Sequence, residues 1–524
     1  MQHYRDFLAA LSQYCCSTTA VLSQYYYSTI EVLSLKTRLS EATYRYDELP
    51  EHAFRYLVLH PGASNEPLVC TLRTSNVNNA EYEAISYVWG SEVQEHDIIC
   101  DGTILKITSN LNEVLRQVRR AEGARNLWVD SICINQKDLK EKGHQVAMMG
   151  EIYRAATCVL ICIGSAGSEC APGLKILAEA ASRMIDKALY HTIYGMRIDP
   201  STESHPLRDL ESDSEPTFHH NGQDPGIDFD YRSAVERCLD IPRWNIFPFV
   251  EEEDVFLRGP EWNLMNTFGQ NEWFDRGWVV REASLARKAV VIWGDTELLW
   301  DDLNRISLWT GRRAKKDLDM TQAVRIRCHF EAYRTRYRNF SSVFFQEVDW
   351  FEPSLLDYMG FARTLRLKDP RDRIYAFLDL GPKLVQGLAI VPNYTDTPLK
   401  VFQDFATNYI LTTKDMNLLY HVMHDEATVE TESMTWVPRW DSGPENMVHF
   451  VSSSAYSPLR SRTGQISKPT ISANHVLRVQ GLIFDTVCFT SNILTGSYST
   501  SSNVPLTIGC SSLTKMFFAV WLQR

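Results

Sequence analysis

The sequence predicts an α/β protein, with a mainly parallel sheet and flanking helices, followed by a mostly helical C-terminal region with some β strands. Three stretches carry that prediction. Leu127–Gly164, LWVDSICINQKDLKEKGHQVAMMGEIYRAATCVLICIG, reads as strand, polar loop, helix and strand. YEAISYVWG, residues 82–90, holds an apolar strand over Ala84–Trp89 stopped by Gly90. NEWFDRGWVVREASLARKAVVIWG, residues 271–294, reads as a helix feeding the apolar strand Ala289–Trp293. Strands that alternate with helices are the signature of parallel pairing. The chain has 524 residues, too many for one ordinary core, so two domains are expected.

Composition narrows the class. Hydrophobic content of 44% and charged content of 23% are those of a globular protein. A formal charge of −12 argues against non-specific binding to nucleic acid or anionic membrane, which needs clustered Lys and Arg. The 12 Cys form no C-x-x-C pair, and Cys158 and Cys162 fall in a predicted buried strand, as reduced intracellular thiols do. No apolar run reaches the roughly 20 residues of a membrane span. No basic stretch leads into an apolar one at the N-terminus, so the cytoplasm is the expected location.

Residues 1–40, rich in Ser, Thr and Tyr, read either as a docking arm of weak helices or as a poorly ordered extension. Phe54–His60 alternates as a strand does, Pro61-Gly62 ends it, and Leu68–Leu72 is its candidate partner. Ile98–Cys100 and Thr103–Ile107 flank Asp101-Gly102, the signal of a type I′ hairpin. Ser109 is the expected cap of a helix with an apolar stripe of Leu111, Val114, Leu115 and Val118. In the central unit the first strand is Leu127–Asp130. The polar turn Asn135–Asp138 precedes a helix that aligns Val146, Met149, Ile152 and Tyr153 on one face. The second strand, Cys158–Ile163, is apolar throughout, as for a strand covered on both faces.

Beyond Gly164, Leu174–Leu189 reads as a helix. Asp199–Asp230 is acidic and poor in apolar residues, so it is expected to be a disordered insertion, with His219-His220 exposed within it. Glu297–Trp300 should pair back on Ala289–Trp293, with Asp301 or Asp302 capping a further helix. An Arg-rich helical stretch follows (Arg325, Arg327, Arg334, Arg336, Arg338), then a helix over Pro353–Arg366 and a short helix within residues 368–381. Pro398 opens another helix. TWVPRWD, residues 435–441, reads as extended, and Val476–Val479 and Leu482–Val487 as strands. The chain stops on FFAVWLQR, an apolar run expected to dock or to continue in a longer form.

Three clusters carry candidate chemistry. Asp130, Asn135 and Gln136 lie at the carboxyl end of the central strand, where α/β proteins place ligands. They either bind ribose hydroxyls or phosphate, or cap the next helix and satisfy loop amides. Ser86, Tyr87, Trp89 and Gly90 end another strand; Gly90 lets a ligand approach the backbone, while the aromatic rings serve either a ligand or the core. Glu282 lies four residues after Trp278 on one helix face. It is either a catalytic or ligand-binding carboxylate or an ion-pair partner of Arg276, Arg281 or Arg287. There is no G-x-G-x-x-G after a strand, no Walker A loop, no zinc spacing and no G-x-S-x-G elbow, and no metal site is expected. Arg371-Asp372-Arg373 reads as a structural salt-bridge node.

The three stretches that predict the fold, in their order and spacing, resemble the fungal heterokaryon-incompatibility (HET) domain. KDPRDRIYAFLDL, IVPNYTDTPLKVFQDFA and TWVPRWD resemble segments that often follow that domain. The resemblance covers roughly residues 82–294. It implies an N-terminal extension over 1–45, a HET domain over 46–310 and a C-terminal α+β region over 311–524. Two departures stand out: Arg281 where the family usually has Gln, and Glu141-Lys142 followed by Gly143-His144 where a Glu-Arg pair is common. The family acts in programmed cell death after fusion of genetically unlike hyphae, so a self/non-self signalling protein is implied, with protein partners or self-association. HET domains are similar in fold to Toll/interleukin-1 receptor (TIR) domains, which implies a flavodoxin-like sheet. Some TIR domains hydrolyse NAD with a Glu on a helix, and Glu282 has a matching context. By that second analogy NAD is the candidate substrate, no cofactor is required, Glu282 is the candidate catalyst, and Ser86, Trp89, Gly90, Asp130, Asn135, Gln136 and Trp278 line the candidate cleft. The rival implication is a non-enzymatic interaction module that acts by assembly.

Overall fold

The structure is a computed structural model that describes residues 43–179, 182, 262–304, 354–380, 388, 390–422, 434–441, 469–473 and 475–479. Several expectations lie outside the described residues. They are most of the N-terminal extension, the greater part of the helix at Leu174–Leu189, the acidic insertion with His219-His220, the Arg-rich stretch, the strand at Leu482–Val487 and the FFAVWLQR end. The chain divides into two compact units, Met1–Ile326 and Arg327–Arg524.

The first unit is built on strands β1 (Ala53–Leu59), β2 (Val69–Asn76), β3 (Glu83–Tyr87), β4 (His96–Cys100), β5 (Thr103–Ile107), β6 (Arg125–Trp128), β7 (Val159–Cys162), β8 (Ala289–Trp293) and β9 (Thr296–Leu299). They form one sheet in the order β5-β4-β2-β1-β6-β3-β7-β8-β9. Its centre, β6-β3-β7-β8, is parallel throughout. β1 joins antiparallel to β6, and β9 antiparallel to β8. The α/β class is therefore observed. The parallel core carries one antiparallel edge strand, β9, on one side. On the other side the extension is mixed: β1 pairs antiparallel with β6 and β2, β4 parallel with β2, and β5 antiparallel with β4.

Local chemistry explains the elements. β7 and β8 are buried at every residue, which is why their sequences lack any polar alternation. Asp101 and Gly102 adopt φ of 49° and 74°, the two positive values of a type I′ turn, and β4 pairs with β5 across them. Helix α1 (Ser109–Val118) buries Leu111, Val114, Leu115 and Val118. Burial of each such side chain stabilises by roughly 1.5–3 kcal/mol. Its cap is Thr108, whose hydroxyl accepts from the Leu111 N–H at 3.4 Å, so the cap lies one residue before the expected Ser109, which is instead the first helical residue. Helix α2 (Leu139–Ala155) is capped by Asp138, whose carboxylate accepts from the N–H groups of Lys140 and Glu141. The capping alternative for Asn135 is thereby corrected: Asn135 sits too far upstream, and its side chain accepts from Lys137 N–H within the loop.

In chain order the parallel strands are first β3, second β6, third β7 and fourth β8. Their spatial order is thus second, first, third, fourth, as at the start of a flavodoxin-like sheet. The direction of winding reverses between β3 and β7. β6 and β7 are not neighbours; β3 lies between them. Right-handed crossovers put α2 and helix α3 (Trp278–Leu285) on the same face. There Arg281 of α3 donates to the Val146 carbonyl of α2 at 3.2 Å.

The second unit contains a helix over Leu355–Phe361, closed by a reciprocal Ser354–Asp357 capping box, and helix α4 (Pro398–Thr413) with Pro at its first position. Arg371 forks onto Asp369, at 2.7 and 2.8 Å, and donates to the carbonyls of Tyr394 and Asp396. Asp372 accepts from the Tyr394 hydroxyl at 2.6 Å. TWVPRWD forms turns rather than the expected extended segment. Trp440 is drawn inward there and carries the Arg363 guanidinium 5.0 Å over its ring.

Candidate functional site

The carboxyl ends of the parallel strands bring three candidates together from three separate stretches. Ser86 is the penultimate residue of β3, Asp130 follows β6, and Glu282 lies in the second turn of α3. Because α3 runs back before β8 begins, its first turn sits at that same edge.

A short loop holds the group in place. Asn271 donates to the Ile163 carbonyl at the end of β7, at 2.8 Å, and accepts from Trp273 N–H at 2.9 Å. That pins the 3-10 turn Glu272–Asp275 against the sheet. Trp273, fully buried between Phe274 and Trp300, points its indole N–H at Ser86 Oγ, 2.9 Å away. Arg276, just past the turn, donates to the Tyr87 carbonyl.

Glu282 is 1% exposed, and its Oε2 has no hydrogen-bond partner. Burial pushes its carboxyl up to about 7; the Arg276 charge and a hydrogen bond with Ser86 oppose that rise, while the Asp130 charge adds to it. Asp130 is also raised, again chiefly by burial, with Arg276 opposing. Arg276 is thus the cation shared by both acids. Asp130 is tightly held: Oδ2 accepts from Trp89 Nε1 at 3.0 Å and Oδ1 from Ser131 N–H at 2.7 Å. Gln136 donates to the Asp130 carbonyl at 3.0 Å. The Tyr87 hydroxyl meets Ser131 Oγ at 2.8 Å.

The structure therefore gathers Ser86, Trp89, Asp130, Gln136 and Glu282. Asn135 is occupied elsewhere; its N–H donates to Glu141 Oε1 at 2.7 Å, and Glu141 is gripped by buried Arg55 at 2.6 Å. Gly90 has φ of 66° and lies against Asn110, and Trp278 is half-buried at the start of α3. Of the three arginines weighed against Glu282, Arg276 acts on it most strongly, Arg281 reaches toward α2, and Arg287 is exposed. Trp273 and Asn271 were not singled out from the sequence. Both lie in the quoted stretch 271–294, but an Asn two residues before a Trp announces nothing about which strand end it will tie.

These features define a doubly wound α/β domain with paired acids at its topological switch point. Residues 82–282 match the family model described as heterokaryon incompatibility protein (HET), a span that ends at Glu282. Over those residues the chain is similar to a HET domain. A curated relative, heterokaryon incompatibility protein 6, OR allele, of Neurospora crassa, is 34% identical over 168 residues. That match covers 28% of this chain and 25% of the relative's length. No solved structure matches the chain.

Proposed function

We propose that this chain is a heterokaryon-incompatibility-type signalling protein of the cytoplasm that triggers a self/non-self death response by hydrolysing NAD. The HET match and the relative's name support the signalling half. Among the described residues no helix is long and apolar enough to cross a membrane, in keeping with a cytoplasmic role. One observation carries the enzymatic half: Glu282, at the switch point, keeps a carboxylate oxygen without a partner and titrates near neutrality.

Cleavage of the nicotinamide–ribose bond builds positive charge on the ribose, as glycoside hydrolysis does on its sugar. A buried carboxylate aimed at that carbon stabilises the charge strongly, because little water screens it. Nicotinamide leaves neutral and needs no acid. Water then supplies the hydroxyl, so NAD and water give ADP-ribose, nicotinamide and a proton. The cationic nicotinamide ring favours ionised Glu282 on entry, adding to the pull of Arg276. Trp89 and Trp278, both half-buried, offer stacking surfaces at the rim. Entry requires the Trp273 turn to move, since Ser86, Trp273 and Glu282 are each at most 1% exposed.

That same burial favours a second reading, in which the domain is an interaction module and the acids serve packing. Purified protein incubated with NAD decides between them by nicotinamide release. The enzymatic reading expects release that Glu282→Gln abolishes. Absence of release, even from artificially oligomerised protein, rules it out. In a fungal killing assay the module reading expects Glu282→Gln to retain activity.

A further inference from the structure

The hairpin of β4 and β5 hangs on the sheet by a narrow attachment. β4 pairs with β2 through two positions, Val69 with Ile99 and Cys70 with Cys100. The backbone bonds there run from Ile99 N–H to the Leu68 carbonyl and from Asp101 N–H to the Cys70 carbonyl, at 2.9 and 3.1 Å. The second position sets two cysteines side by side. Both are free, both are at most 2% exposed, and as register partners on adjacent strands they project from the same face of the sheet.

We infer that Cys70 and Cys100 are a dithiol–disulfide pair, a modification site that staples the hairpin to the sheet when oxidised. Adjacent strands lie about 4.8 Å apart, within the Cα separation a disulfide spans. Cys100 Sγ reaches only a long contact, to Asp101 Oδ2 at 3.7 Å. Cys133, the third thiol of the neighbourhood, is engaged otherwise and accepts from Val129 N–H at 3.3 Å.

Burial makes both thiols inert in the closed hairpin, because the reacting species is the thiolate. The short pairing supplies the route: release of its two backbone bonds and of the Leu72 N–H bond to Asp101 Oδ2 frees the turn end of β4 and both sulfurs. With oxidised glutathione as oxidant the exchange balances. One cysteine thiolate attacks a glutathione sulfur and expels a glutathione thiolate. The second cysteine attacks the mixed disulfide and expels the other. Two protein thiols are oxidised, one glutathione disulfide is reduced, and the two protons pass to the leaving thiolates. The new bond closes a loop of about 30 residues and restricts the unfolded chain.

The test uses the full chain, reduced and then equilibrated with oxidised glutathione, with free thiols alkylated before peptide mapping. The expected result is one disulfide-linked peptide pair joining Cys70 to Cys100, and a thermal midpoint raised by about 5 °C or more over the reduced protein. The rise should vanish in Cys70→Ala and in Cys100→Ala. Persistence of both thiols in the alkylatable pool overturns the inference, as does a map in which either pairs with Cys133 or another cysteine. The wild-type map stands even if a variant fails to fold.

Discussion

Glu282 turns the burial of one carboxyl into a measurable slope of stability against pH. Its ordinary value of 4.5 is pushed up to about 7 in the folded chain, burial being the largest cause. Between those values the folded state holds a proton that the unfolded state has released. Stability therefore falls as pH rises through the window, and the loss is complete above the folded value. At 1.36 kcal/mol per pKa unit the full loss is roughly 3 kcal/mol. Glu282→Gln replaces the carboxyl by a neutral group of the same shape and removes the slope. Urea denaturation of wild type and variant, followed from pH 5 to pH 8, tests this. The two should agree within about 1 kcal/mol at pH 5, where the wild-type residue is already neutral. The variant should lead by roughly 3 kcal/mol at pH 8. Subtraction removes the contribution of Asp130, except where the two acids repel each other. Parallel curves would refute the buried, proton-binding Glu282.

Three further predictions concern the site and the fold around it. Trp273→Phe keeps a ring between Phe274 and Trp300 but deletes the donor to Ser86 Oγ; a loss of about 1 kcal/mol is expected in urea denaturation. Arg55→Met leaves Glu141 buried without its fork partner and should cost about 3–5 kcal/mol, and adding Glu141→Leu should restore part of it. Gly90→Ala meets both a φ of 66° and Asn110 side-chain atoms as close as 2.5 Å, whereas Gly102→Ala, at φ 74°, meets nothing within 4 Å. Thermal denaturation should show Gly102→Ala losing only the backbone term of about 1–2 kcal/mol, and Gly90→Ala losing more.

Elements whose determinants are local could be read from the sequence. The Asp101-Gly102 turn, the α1 stripe and the wholly apolar β7 each follow from residues within one element. The α1 cap moved by one position because Thr108 and Ser109 are adjacent hydroxyls with the same capping chemistry. TWVPRWD misled because two Trp flanking a Pro look like strand material. In the fold Trp436 donates to the His475 carbonyl at 2.9 Å, and Trp440 packs beneath Arg363. Those partners lie far away in the chain. The antiparallel join of β1 to β6 was equally hidden, because nothing in either strand names its neighbour.

The candidate site was legible as residues but not as an environment. Ser86, Asp130 and Glu282 could each be placed at a strand end or on a helix face. What sets their chemistry is that three crossovers deliver them to one edge and that a 3-10 turn lowers Trp273 over them. The departure at Arg281 shows why adjacency misleads. One residue along a helix turns a side chain by about 100°, so Arg281 faces α2 while Glu282 faces the strand ends. Its pull on Glu282 is accordingly weaker than that of Arg276, six residues upstream and outside the helix. Arg281 therefore holds the α2–α3 seam, and Arg276 supplies the larger share of the charge balance at the carboxylate.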